Sequence, residues 1–127
     1  MDAAVPAGGR RAFAHEATLA MDPAGDTRAP GAAITLALCG SWSHDPPCPL
    51  APHHTAAERA GELVSLRVLF AATPADEARV RLLVDAALAG GSVAGPAGTP
   101  ASWRLMTSAP AELRPGEREH GRRLTLS

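Results

Sequence analysis

The clearest alternation in the chain runs from Leu63 to Ala71, where Val64, Leu66, Val68 and Phe70 share one side and Ser65 and Arg67 the other. A period of two marks a strand buried on one face, and the aromatic and branched residues place it centrally in a sheet. A weaker alternation over Phe13–Met21 puts Phe13, His15, Ala17, Leu19 and Met21 together. The run "AAITLALC" offers Ile34, Leu36 and Leu38 on one side and Thr35, Ala37 and Cys39 on the other. With the turn-rich stretch Asp22–Gly31 between them, these two segments are expected to form a hairpin.

Helical spacing replaces alternation after Thr73. Val80, Leu83, Val84, Ala87 and Leu88 follow i, i+3, i+4, i+7, i+8, and Glu77, Arg81 and Asp85 form an outward ladder at i+4 spacing. Thr73 is the expected cap, Pro74 suits the first helical position, and Gly90 and Gly91 stop the helix. Thr55 with Glu58 three residues on has the capping-box pattern, predicting a short helix that ends at Gly61. Trp103 and Leu105 suggest a fourth strand.

The resulting expectation is an α+β domain: a small, mainly antiparallel sheet of about four strands, order β-β-loop-β-α-β, with one main helix packed on one face. Residues 1–12 read as a disordered lead-in, 13–108 as the single α+β domain with a Cys/His-rich Pro loop at 39–54, and 109–127 as a charged C-terminal tail. The tail mixes Glu and Arg without a lasting apolar stripe, so a solvated segment is expected, with Leu124 and Leu126 offering a short edge strand. Leu63 and Leu69 fall on a sheet face with no evident cover, which a protein partner or a homodimer would bury.

Composition narrows this picture. Of 127 residues 46% are apolar, but 28 of those are Ala, and two Phe and two Trp supply the large side chains. Such a thin core gains more than most from a staple, a metal or a partner. All 12 basic residues are Arg, while Lys, Asn, Gln and Tyr are absent; a GC-rich genome explains that more simply than arginine chemistry. The net charge of −1, with no basic block or aromatic array, argues against nucleic acid as a partner. The N-terminus has no sustained apolar leader, and no run approaches the ~20 residues of a membrane span. The expectation is a cytoplasmic protein without a membrane partner, whose cysteines are free or metal-bound rather than in a lasting disulfide.

Candidate chemistry concentrates in "CGSWSHDPPCPLAPHH", Cys39–His54, which holds both cysteines and three of the five histidines. Cys39, His44, Cys48 and His53 read C-x4-H-x3-C-x4-H, with His54 as an alternative fourth member. Two thiolates and two imidazoles suit tetrahedral zinc, although structural zinc sites commonly begin with a closer cysteine pair. Pro46, Pro47, Pro49 and Pro52 exclude a helix, and an ordered loop this long needs a fastener. Three ligands with an open position would make a metal-dependent hydrolase, for which Asp45 or Glu58 are the nearby general bases.

A Cys48 nucleophile with His44 or His53 as base lacks the helix N-terminus that would activate it, and "GSWSHD" lacks the glycine of a serine nucleophile elbow. A disulfide or redox pair of the two cysteines and a purely structural loop are the remaining alternatives, the loop with Trp42 as its anchor and His15 as a core or rim residue. No residue set identifies a reaction, and the sequence leans away from an enzyme. The leading expectation is an accessory or binding protein with a structural zinc site; a metal-free interaction module is the alternative and the hydrolase the third.

Overall fold

A computed structural model describes residues 9–40, 51–94 and 100–126. Along the chain run β1 (Arg11–Ala20), α1 (Ala29–Cys39), β2 (His53–Ala60), β3 (Leu63–Ala72), α2 (Glu77–Ala89), β4 (Ser92–Ala94), β5 (Pro100–Ser102), β6 (Arg104–Ala111) and α3 (Arg118–Thr125). Four strands pair antiparallel in the order β2-β3-β1-β6, and β4 and β5 form a separate ribbon. The α+β class and the four-strand antiparallel sheet are as expected.

One face of the sheet carries Leu19, Val64, Leu66, Val68 and Phe70, all buried, against Ile34 and Leu38 of α1 and Val80, Val84 and Leu88 of α2. The alternation of β3 therefore marks the core side. Phe13 meets Phe70 with ring centroids 5.4 Å apart, within the range of attractive aromatic pairs. Trp103 closes one end of this core, its indole N–H donating to the Leu88 carbonyl at 2.9 Å.

The element order departs from expectation at α1, at β2, in the added β4–β5 ribbon and at α3. "AAITLALC" is the body of α1, not a strand, so Phe13–Met21 has no hairpin partner there. Its buried Pro30, Ala33, Ile34 and Leu38 follow helical spacing, and in a segment so short Ile34, Leu36 and Leu38 mimic alternation. Pro30 near the start and Gly40 after the end were the distinguishing signals: Gly40 takes φ +79° and donates its amide to Leu36.

The capping-box stretch is the edge strand β2. All eight of its residues register against β3, and Gly61, at φ +65°, turns the hairpin rather than ending a helix. Cross-strand pairing with a strong neighbour overrides the local helix signal. Helix α2 exists, but Pro74–Asp76 is a 3-10 turn and Thr73 makes no side-chain capping bond.

The opposite sheet face is partly covered by α3, formed from the segment expected to be a solvated tail. Gly121 lets the helix approach closely: a Cβ there would lie 2.9 Å from the Ala12 Cβ. Beside it Arg67 Nε and Nη2 grip both Glu117 carboxylate oxygens at 2.6 and 2.8 Å, and Nη1 donates to Glu16 at 2.6 Å. Leu69 is buried as a result, whereas Leu63, on the same face, is 48% exposed.

Candidate functional site

Cys39 ends α1, which the left-handed Gly40 caps, and His53 opens β2 in register with Phe70. The two elements bring Cys39 Sγ to 3.9 Å from His53 Nδ1. Cys39 is 8% exposed and is disulfide-bonded; Cys48 is the other cysteine of the sequence. This differs from the free or metal-bound thiols expected of a reducing compartment. Nothing in the residue pattern itself fixes the redox setting, so that expectation had rested on location alone.

Both ring nitrogens of His53 have partners. Nδ1 lies 3.1 Å from the Ala51 carbonyl, which can only accept, so Nδ1 carries the proton in this arrangement. Nε2, then a lone pair, lies 3.0 Å from Thr35 Oγ1, whose single hydroxyl proton is shared between this nitrogen and the Gly31 carbonyl at 3.1 Å. The ring is thereby tied to the second turn of α1 and to the segment that leads into β2. His53 is oriented as a structural histidine with a sulfur neighbour.

His54 cannot join that corner. Successive residues of a strand point to opposite faces, and His54 meets His120 of α3 with ring centroids 4.7 Å apart. Burial, then the neighbouring His54 and Arg123, hold the His120 imidazole below its ordinary range. Glu58, the described candidate for a general base, shares the His54 side of β2 by its register with Ser65. His44, Cys48, Trp42 and Asp45 lie outside the described residues. Of the four primary zinc candidates, the structure thus brings Cys39 and His53 together. Among the described residues, no group of three or more Cys, His, Asp or Glu converges as a metal site.

A second polar cluster was not foreseen. His15, 1% exposed, sits on the core side of β1 with Nε2 3.1 Å from Asp85 Oδ1 and 2.8 Å from Ser108 Oγ, while Arg81 Nη1 approaches Nδ1 at 2.9 Å. Ser, His and Asp invite comparison with a hydrolase triad, but the wiring is wrong. In a triad the serine and the carboxylate address different ring nitrogens. Here both address Nε2, the Ser108 hydroxyl donates to Asp85, and the guanidinium occupies Nδ1.

An arginine donor at Nδ1 requires a lone pair there, so His15 is the neutral Nε2–H tautomer. Burial pushes its pKa down, outweighing the pull of Asp85. The expected outward ladder on α2 is consequently half inward. Arg81 still pairs with Glu77 at 2.8 Å, but it also donates to the Ala14 carbonyl and lies over the Phe13 and Phe70 rings. The i+4 spacing of Glu77, Arg81 and Asp85 disclosed the row but not the buried histidine that draws two of its members in. No family model, curated protein or solved structure matches the chain.

Proposed function

We propose that this chain is a small accessory or binding protein in which the Cys39/His53 corner is a structural fastener and not a reaction centre. The observation that carries this reading is the 3.9 Å approach of Cys39 Sγ to His53 Nδ1, with the sulfur in a disulfide and both ring nitrogens engaged. Such a corner presents neither a thiolate nucleophile nor an unoccupied base. A disulfide to Cys48 closes eight intervening residues, a constraint worth about 2–3 kcal/mol on the chain-entropy account. For a thin, alanine-rich core that is a substantial fraction of net stability.

The same distance favours structural zinc as the second reading, for the reduced chain. Two donors on a tetrahedral zinc ion, bound at about 2.3 Å through sulfur and about 2.0 Å through nitrogen, lie roughly 3.5 Å apart. His53 would bind through Nδ1, give up its bond to Ala51, and donate from Nε2 to Thr35 as an outer partner. His44 and Cys48 would complete the set.

Location follows the choice. A lasting disulfide belongs to an oxidising compartment, and the cytoplasmic setting goes with the zinc form. Thiol titration of denatured, unreduced protein, with metal analysis of an untagged sample, separates the readings. The fastener predicts no free thiol and less than about 0.2 equivalents of zinc. Two free thiols with about one equivalent of zinc would establish the metal form, and two free thiols without metal would defeat both.

A further inference from the structure

The four-strand sheet ends in two edges, β2 and β6, and they are built differently. Strand β6 carries Pro110, and its register against β1 shifts between Thr18 and Leu19. A proline and a bulge are devices that keep an edge from pairing with another chain. Strand β2 has neither: all eight residues pair with β3 without a shift, and its sequence HHTAAERA holds no Pro, Gly or Lys.

The ladder decides which backbone groups of β2 face outward. The Ala71 N–H donates to the Pro52 carbonyl at 2.9 Å, one step before His53 meets Phe70, so Pro52 and Ala71 form a directly bonded pair. Bonded and non-bonded pairs alternate in an antiparallel ladder. His54, Ala56 and Glu58 therefore turn their backbone groups toward β3, while Thr55, Ala57 and Arg59 turn theirs away. Among the described residues, no backbone group outside the sheet bonds to those three. Alongside them a cleft of about 420 Å³ separates β2 from α1, lined among others by Gly31, Thr35, Thr55 and Ala57.

We propose that two copies of this chain pair antiparallel through β2, about a two-fold axis at Ala56, so that their sheets become one. In that register Thr55 exchanges both backbone bonds with the partner's Ala57, and Ala57 does the same with the partner's Thr55. Ala56 is exposed and meets Ala56 of the partner subunit in a non-bonded pair, where strands approach to about 4.5 Å and small side chains suit. Glu58 and His54, exposed on one side of the strand, come opposite the partner's His54 and the partner's Glu58. A carboxylate then faces an imidazole N–H twice, as an isologous interface requires. Sliding the partner by two residues in either direction loses both pairs. On the core side the partner's Ala57 brings only a methyl group toward Thr55 and the cleft. This interface is the sheet edge and not the face that carries Leu63. It uses neither Cys39 nor a metal, so its failure leaves the thiol and zinc result untouched.

The test is sedimentation velocity on the full chain from about 2 to 300 µM, with amide hydrogen exchange at both ends of that range. A reversible dimer with Kd on the order of 10 µM is expected. The N–H groups of Thr55 and Ala57 should gain about tenfold protection at the high concentration, while those of Ala56 and Glu58, already bonded to β3, should not change. Contact through a sheet face or a helix does not produce that alternation. Ala56→Glu sets two carboxylates against each other across the axis and should weaken the dimer about tenfold. Because Ala56 is exposed and lies opposite Arg67, the melting temperature of the dilute variant should match that of the wild type. Glu58→Gln should weaken the dimer about threefold. A monomer at every concentration would overturn the proposal and leave the edge to a strand from another protein. A dimer without the alternating protection, or one indifferent to Ala56→Glu, would overturn it equally.

Discussion

The two faces of the sheet are closed by different physics. On the core side, branched aliphatic and aromatic residues of β1 and β3 pack under α1 and α2, with the polar His15 cluster satisfied at one margin. On the other side α3 rests on a close approach, with Gly121 against Ala12, and the turn leading into it is held by the Arg67 grip on Glu117. The first face gains stability mostly from buried apolar area, which is insensitive to pH, with the His15 cluster at its margin as the exception. The second depends on close approach and ionised groups, so it is the face that acid or one added side chain can open.

Phe70→Ala should have the largest effect, because Phe70 is fully buried and central to the first face. A loss of about 3–5 kcal/mol is expected by urea unfolding. Gly121→Val attacks the second face by overpacking, since even a Cβ would come within 2.9 Å of Ala12. It should cost about 2 kcal/mol, and hydrogen exchange should show amides of α3 losing protection before those of β3. An equal loss of protection across both faces would remove the distinction.

Glu117→Gln should be milder at neutral pH, at about 1–2 kcal/mol after allowance for solvent screening. Its signature is the acid limb. The Arg67 guanidinium holds the Glu117 carboxyl down at about 2, against an ordinary 4.5. The folded state therefore resists protonation, and the stabilisation is fully present above 4.5 and lost as pH falls toward 2. Melting curves between pH 7 and 3 should fall more steeply for the wild type than for the variant. His15 adds a limb of the same sign: its folded pKa is depressed below 6.5, so its contribution is complete above that value and diminishes as pH drops.

The difference between the faces also explains what the sequence disclosed. Strand β3 and helix α2 were legible because their apolar spacing serves one large core. The order of α1 and β2 was not, because alanine-rich stretches fit either period and pairing with β3 decided the matter. Helix α3 was invisible to hydrophobic patterning: it docks through a glycine and an arginine–glutamate grip contributed by residues some fifty positions apart. At the site, residue types singled out Cys39 and His53. Their approach depends on α1 ending where β2 begins to pair, while the divergence of His54 follows from strand geometry alone. His15 was legible as a core position, but its neutral tautomer required knowing where Arg81 and Asp85 point.

The corner at Cys39 and His53 lies at the end of the first face, and its role as a covalent fastener is the claim most exposed to experiment. Thermal unfolding of the full chain with and without a strong thiol reductant, with a zinc chelator present in both samples, tests it directly. Loss of the Cys39 disulfide should lower the midpoint by about 10 °C. A midpoint unchanged by the reductant would show that the bond fastens nothing.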